Sequence, residues 1–171
     1  MYFFEWSFGN WKFGPVCALE ENDHIVRIGL CGALGVSARE YLSGKSHFED
    51  PVKRQTPALR ELKIQLNEYF KAKRKEFDLP LALEGSDFQM KVWRRLQKIP
   101  YGCLVSYGQV AKDIGKAKAA IAVGQAVANV PLPIIIPCHR VIGASGKLTG
   151  YGYGLGAKRA LLDLEGAKYE V

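Results

Sequence analysis

The run Ile134-Ile135-Ile136-Pro137-Cys138-His139-Arg140-Val141 constrains this chain more than any other stretch. Three β-branched apolar residues in a row read as a fully buried, extended segment. Pro137 fixes φ and removes a backbone donor just before the cysteine. A thiol is thereby carried on a stiff, buried lead-in, with an imidazole beside it and a guanidinium after that. The thiolate is the reactive form of cysteine, and a neighbouring His or Arg favours it. A structural cysteine beside a core histidine would read the same way, since free cysteine is among the most buried residue types. The rest of the chain has to separate the two.

With 171 residues the chain holds one large domain or two small ones. No apolar run is long enough to span a bilayer. The opening Met1-Tyr2-Phe3-Phe4-Glu5 lacks a basic n-region, so no signal peptide is expected. Cys17, Cys31, Cys103 and Cys138 are scattered without a C-x-x-C pair, which suits a reducing, cytoplasmic setting better than a disulfide framework. The formal charge of +7 favours anionic partners, nucleic acid above all.

In the N-terminal half, Tyr2 to Phe8 reads as an aromatic-rich strand closed by a turn at Gly9-Asn10. Val16 to Leu19 and Ile25 to Leu30 flank Glu20-Glu21-Asn22-Asp23-His24, a β-hairpin with a loop longer than the tightest types. The pattern fades from Cys31 to Arg54, apart from a short helix over Ala38 to Leu42 and a surface loop over Ser43 to Asp50. Thr56-Pro57 is a helix start. Leu59, Leu62, Leu66, Tyr69 and Phe70 continue at helical spacing to a cationic end at Lys71, Lys73, Arg74 and Lys75. A boundary is expected at Glu84-Gly85. His24, His47, Cys17 and Cys31 match no zinc-ligand spacing, so no metal is expected.

The C-terminal half opens with a capping box, Ser86 with Gln89, and a stripe of Phe88, Val92, Leu96 and Ile99 with Trp93 beside it. A second capping box, Ser106 with Gln109, starts a helix that runs to Gly115. Another helix follows from Lys118 to about Ala128. Two short helices around a glycine turn read either as a plain αα-hairpin or as a helix-turn-helix; the lysines Lys112, Lys116 and Lys118 favour the second. From Ala119 to Ala128 the second helix offers only small or apolar residues and Gln125. It has little with which to address base edges. Close backbone approach held by phosphate contacts, with little sequence preference, is expected, unless the helix is simply buried. Gly143 to Lys147 only superficially resembles a phosphate loop, because Leu148 follows the lysine. A last helix spans about Ala157 to Glu165 and stops at Gly166, with Leu161 and Leu164 facing inward. Glu165 opposes the helix dipole, so a partner such as an imidazole is expected to hold it.

Pro137-Cys138-His139-Arg140-Val141, preceded by the helix-turn-helix and followed by Gly150-Tyr151 and a Leu-Leu-x-x-Glu helix, resembles the O6-alkylguanine-DNA alkyltransferases. The resemblance covers roughly Ser86 to Gly166; the N-terminal half is similar in layout alone. It implies an α+β fold, a small N-terminal antiparallel sheet with a helix, then a mainly helical, winged-helix-like domain. Residues 1–84 would be a ribonuclease H-like domain and residues 85–171 the DNA-binding and alkyl-acceptor domain. The implied activity is irreversible, single-turnover transfer of an alkyl group from O6 of guanine in double-stranded DNA to Cys138, with O4 of thymine left open as a second target. No cofactor is implied, and a monomer, cytoplasmic or nuclear according to its cell type, is expected.

The resemblance also assigns roles. Cys138 would accept the alkyl group, His139 would take its proton through a bridging water, and Glu165 would orient His139. Tyr107 would donate to the flipped guanine, the Cys138 and Val141 carbonyls would read its exocyclic amine, the Gly152 N–H would reach O6, and Tyr151 would cover the base. Ser106, Lys118, Ala120, Ile121, Ala122 and Gly124 would meet DNA, the second helix lying in the minor groove. Three positions depart from the family pattern. Ile121 stands where an arginine often fills the gap left by the flipped base, so an apolar wedge would do that job. Val130 replaces an asparagine that braces the active-site loop, and Asn129 is expected to substitute. Tyr153 replaces a glycine and is expected to narrow the pocket against bulky groups such as benzyl. Two other classes stay open: a DNA-binding module that recognises alkylated bases without chemistry, and a Cys-His hydrolase.

Overall fold

The computed structural model describes residues 1–43 and 51–170, in two compact units, Met1–Leu83 and Glu84–Val171. The surface loop expected over Ser43 to Asp50, with His47, lies almost wholly outside the described residues.

The first unit is built on a four-stranded sheet in the order β3-β2-β1-β4. Strands β1 (Tyr2–Trp6), β2 (Val16–Glu21) and β3 (His24–Gly29) are antiparallel, and β4 (Val52–Lys53) runs parallel to β1. The hairpin loop is shorter than its polar sequence suggests. Glu21 pairs with His24, leaving only Asn22 and Asp23 in the turn, at φ 50° and 63°. Asn and Asp tolerate the left-handed region such a turn requires. Glu20 Oε1 accepts from the Asp23 N–H at 2.7 Å, so a charged residue serves the strand end instead of lengthening the loop.

Two short helices follow, α1 (Cys31–Leu34) and α2 (Ala38–Ser43). Cys17 on β2 and Cys31 at the start of α1 are disulfide-bonded, which corrects the expectation of four free thiols. Cys17 pairs across the hairpin with Gly29. Two residues on, Cys31 returns to the same side. Tertiary register makes this bond, and a separation of 14 residues carries no local signal for it.

Helix α3 (Pro57–Phe70) starts as its sequence dictates, with Thr56 Oγ1 accepting from the Leu59 N–H at 3.2 Å and Pro57 in the first turn. Leu59, Leu62, Leu66, Tyr69 and Phe70 are buried, and Phe70 meets the rings of Phe8 and Trp11 with centroids 5.0 and 5.1 Å away. Each such side chain contributes about 1.5–3 kcal/mol on burial. The helix stops at Phe70, before the cationic run: Ala72 takes φ 55°, and Arg74 turns back to Glu68 at 2.6 Å. The chain from Pro80 to Ala82 then lies along β3, with the Ile25 N–H donating to Pro80 O and the Ala82 N–H to Ile25 O, which covers that sheet edge.

The second unit is mainly helical. Helix α4 (Asp87–Leu96) carries both halves of the Ser86–Gln89 capping box and buries Val92, Trp93 and Leu96. Helices α5 (Tyr107–Asp113) and α6 (Ala120–Ala128) pack on α4 and on each other around Gly115, whose φ is 74°. The second capping box is only half made. Ser106 Oγ accepts from the Gln109 N–H, but the Gln109 side chain bonds Asp113, which Arg95 also holds. Helix α6 buries Val123, Ala126 and Val127, and its backbone is fixed by the Trp93 indole donating to Ala126 O at 2.9 Å. Its other face is open, so the fully buried alternative does not hold. Two short strands, β5 (Val105–Ser106) and β6 (Val141–Ile142), pair in parallel and tie the start of α5 to the residues after Cys138. The last helix, α7, spans Leu155–Leu164 and is ended by Glu165 and by Gly166 at φ 66°. No helix among the described residues is long and apolar enough to cross a membrane.

Candidate active site

The isoleucine run is buried but not extended. Ile134 takes φ 75°, a turn follows, and the Ile136 N–H donates to Leu132 O at 2.9 Å. A short apolar run reports burial and cannot report direction. Pro137, at φ −77° and ψ 63°, makes an inverse γ-turn in which the Cys138 N–H donates to Ile136 O at 2.7 Å. Cys138–Arg140 then forms one 3-10 turn before Val141 enters β6.

Behind this turn stands a fully satisfied carboxylate. His139 Nε2 meets Glu165 Oε1 at 2.7 Å. Arg140 donates from Nη2 to Oε1 at 2.9 Å and from Nε to Oε2 at 2.8 Å, and the Gly102 N–H donates to Oε2 at 3.0 Å. Burial alone would raise the Glu165 carboxyl, but the His139 and Arg140 contacts outweigh it and hold the group well below the carboxylate range. For His139, burial lowers the pKa, the Glu165 contact opposes that, and the charges of Arg140 and Lys158 add to the lowering. The ring is therefore neutral, with Nε2–H donating to Glu165 and Nδ1 left as an acceptor. Nδ1 is buried and has no partner among the described residues.

Cys138 is 4% exposed. Burial pushes its thiol up to about 11, offset only in part by Tyr151, by Lys158 and by backbone N–H groups. The resting sulfur is thus protonated. The expectation that the adjacent imidazole and guanidinium favour thiolate directly is corrected: both face Glu165. The Sγ–H points to the Tyr151 hydroxyl at 4.0 Å.

Cys138 lies at the wall of a cavity of about 350 Å³. Tyr107 at the head of α5, Gly124 on α6, Val130, Tyr151, Gly152 and Tyr153 share that wall. Gly124 faces the Tyr107 ring, and a Cβ there would sit at ordinary contact distance, 3.8 Å from it. The Tyr151 and Tyr153 rings are 5.6 Å apart, centroid to centroid.

The remaining expected residues fall outside the cavity. On α6 and its approach, Lys118, Ile121 and Ala122 are exposed, Ile121 at 84%, and Ala120 is half-buried. Ser106 is spent as the cap of α5. Asn129 does not brace the active-site loop; its Nδ2 donates to Gln125 O of its own helix at 2.8 Å. Val130, the other departure from the family pattern in this loop, is buried at 8% exposure. Two residues carry weight that the sequence did not announce. Arg140, read from the sequence as a cation favouring the thiolate, instead grips Glu165. Lys158 occupies the inner face of α7 with Leu161, Leu162 and Glu165, where Leu164 was expected; the 158/161/162/165 spacing was the available signal.

The family profile described as "6-O-methylguanine DNA methyltransferase, ribonuclease-like domain" matches residues 5–83, and that described as "6-O-methylguanine DNA methyltransferase, DNA binding domain" matches residues 87–167. The methylated-DNA–protein-cysteine methyltransferase of Mycobacterium bovis is 59% identical over 101 residues, 59% of this chain and 61% of that protein, so this chain spans less than two thirds of that relative. The crystal structure of Mycobacterium tuberculosis OGT in complex with DNA superposes with a TM-score of 0.80 at 38% identity, covering 96% of this chain and 92% of that one. The constitutive methylated-DNA–protein-cysteine methyltransferase of Bacillus subtilis is 42% identical over 158 residues, 92% of each chain. With both of its domains matched in order and that relative matched nearly end to end, the chain belongs to the 6-O-methylguanine DNA methyltransferase family.

Proposed function

We propose that this protein repairs double-stranded DNA by moving an alkyl group from O6 of guanine to its own Cys138. One observation carries the proposal: a buried sulfur faces a base-sized cavity while the ring beside it keeps a free acceptor and is held by a fixed carboxylate. Cys138 gives its proton toward His139 Nδ1 through a bridging water, because neighbouring side chains on one turn do not face each other. Sulfur then bonds to the alkyl carbon, the C–O6 bond breaks, and its electron pair returns to the guanine. The proton ends on the base, which leaves neutral. Glu165 and Arg140 keep the imidazole in the tautomer that receives the proton. Tyr107 donates to the base as negative charge develops on it, and the Cys138 and Val141 carbonyls and the Gly152 N–H orient it. The product is a thioether with no hydrolytic exit, so each molecule acts once, without cofactor or metal.

DNA binding belongs to the second unit. Helix α6 lies in the minor groove, its small residues allow close approach, Lys118 and the Ser106 end meet phosphate, and Ile121 fills the gap left by the flipped base. The protein acts as a monomer, in the cytoplasm or wherever its cell keeps DNA.

Mass spectrometry of the Cys138 peptide after incubation with O6-methylguanine DNA tests this. A stable gain of one methylene, absent in Cys138→Ser, is expected. No gain with DNA binding retained would make the protein a reader of alkylated bases, and a transient acyl adduct a hydrolase; either overturns the proposal.

A further inference from the structure

Lys158 is a buried charge with no part in the scheme above. It is fully buried on the inner face of α7, seven residues before Glu165. Its Nζ donates to Val141 O at 2.7 Å and to Thr149 O at 3.0 Å. These two carbonyls belong to two separate segments that each supply residues of the cavity wall. Val141 ends the turn that carries Cys138, and Thr149 begins the segment that supplies Tyr151, Gly152 and Tyr153. A buried amine carries a large desolvation cost unless it is well bonded. An apolar side chain of the same length would fill this space without that cost.

We propose that Lys158 is a positioning residue for the transfer: it clamps the Val141 and Thr149 carbonyls so that the cavity keeps its width, and its ammonium is the fixed positive charge that stabilises the Cys138 thiolate as it forms. The inference rests on the function proposed above, with the charge role separable from it. Of the charged groups around the sulfur, Arg140 is neutralised by Glu165, and His139 is neutral. Tyr151 offers only a hydroxyl. Lys158 holds the carbonyl of Val141, three residues from the sulfur, and has no acidic partner in hydrogen-bond contact among the described residues. Its clamp leaves Val141 O one lone pair for the base, since a carbonyl oxygen carries two.

Burial brings the Lys158 ammonium down to about 8, so the charge is nearly whole below pH 7 and fades as pH rises through 8. Alkylation of Cys138 by iodoacetamide reads thiolate formation without any base or DNA. In Lys158→Met the rate below pH 7 is expected to fall about tenfold, the effect of one pKa unit on the sulfur. The gap from wild type is expected to close as pH rises past 8. Lys158→Arg keeps the charge and is expected to restore the iodoacetamide rate. On O6-methylguanine DNA, Lys158→Met is expected to lower both the saturating rate and the apparent affinity. Equal iodoacetamide rates in a folded Lys158→Met, or a deficit independent of pH, would overturn the charge role. Unchanged DNA saturation would overturn the clamp. If Lys158→Met does not fold, Lys158→Arg decides, because its charge does not titrate in this range: its iodoacetamide rate is expected to outrun wild type above pH 8, and coincident pH profiles sink the proposal. Failure of methyl transfer in wild type, with iodoacetamide behaviour as expected, would instead count against the proposed function.

Discussion

Arg140 grips Glu165 with two parallel hydrogen bonds, 2.8 Å from Nε to Oε2 and 2.9 Å from Nη2 to Oε1, and its remaining Nη1 donates to Ile99 O at 2.6 Å. The carboxylate therefore belongs as much to the arginine as to the histidine it orients. Bidentate pairing is the strong form of this contact. Removing one partner of such a buried pair leaves the other uncompensated. Glu165→Gln is expected to cost about 3–5 kcal/mol in urea denaturation.

The same carboxylate sets an acid limit. Its folded pKa is depressed, chiefly because the His139 and Arg140 contacts outweigh the burial that would raise it. The stabilisation is thus whole above the unfolded carboxylate value of about 4.3 and is lost as pH falls through it toward the folded value. Urea midpoints measured from pH 6 downward are expected to drop less steeply in Glu165→Gln than in wild type. Parallel curves would show that Glu165 titrates normally.

Gly102 sits at φ 74°, and a Cβ there would come 2.9 Å from the backbone oxygen of Glu165. Gly102→Ala is expected to lose about 1–2 kcal/mol from the left-handed backbone alone, with the contact adding to it. The test is whether methyl transfer slows in the folded fraction. A variant as stable and as fast as wild type would remove this turn from the site's support.

Ile121 presents its side chain to solvent at 84% exposure, an unusual place for a β-branched hydrophobe. Ile121→Ala is expected to leave stability within about 0.5 kcal/mol. Transfer from duplex DNA is expected to slow about tenfold, ~1.4 kcal/mol of barrier, while reaction with the free base O6-methylguanine is unchanged. Equal slowing of both would take the wedge role away.

Tyr153 shares the cavity wall with Tyr151 and Cys138. Tyr153→Gly is expected to speed inactivation by O6-benzylguanine about tenfold or more, the scale on which apolar pockets discriminate by shape. Wild-type inactivation by benzylguanine as fast as by O6-methylguanine DNA would show that Tyr153 excludes nothing.

Local chemistry was legible in the sequence wherever one residue acts on its near neighbours. Thr56-Pro57 and Ser86 with Gln89 mark helix starts that the structure reproduces to the atom. The order of the two units, the helix pair and the His139–Glu165 contact followed from spacing and from the family resemblance. What was hidden depends on distant partners. Arg140 finds Glu165 25 residues away, Lys158 finds a carbonyl 17 residues away, and Cys17 meets Cys31 only through the hairpin register. Strands β4, β5 and β6 have two residues each, too short for any alternation to show. Asn129 misled because its amide serves its own helix end.

Ile134 holds a left-handed backbone that costs a β-branched residue on the order of 1–3 kcal/mol, and it does so three residues before the Pro137 turn. Such a conformation persists only where surrounding packing dictates it, and here Leu132, Ile134 and Ile136 are sealed in the core. The loop beneath the sulfur is consequently set when the chain folds. On the proposed function, an extruded nucleotide would meet a finished mould, with that loop already shaped.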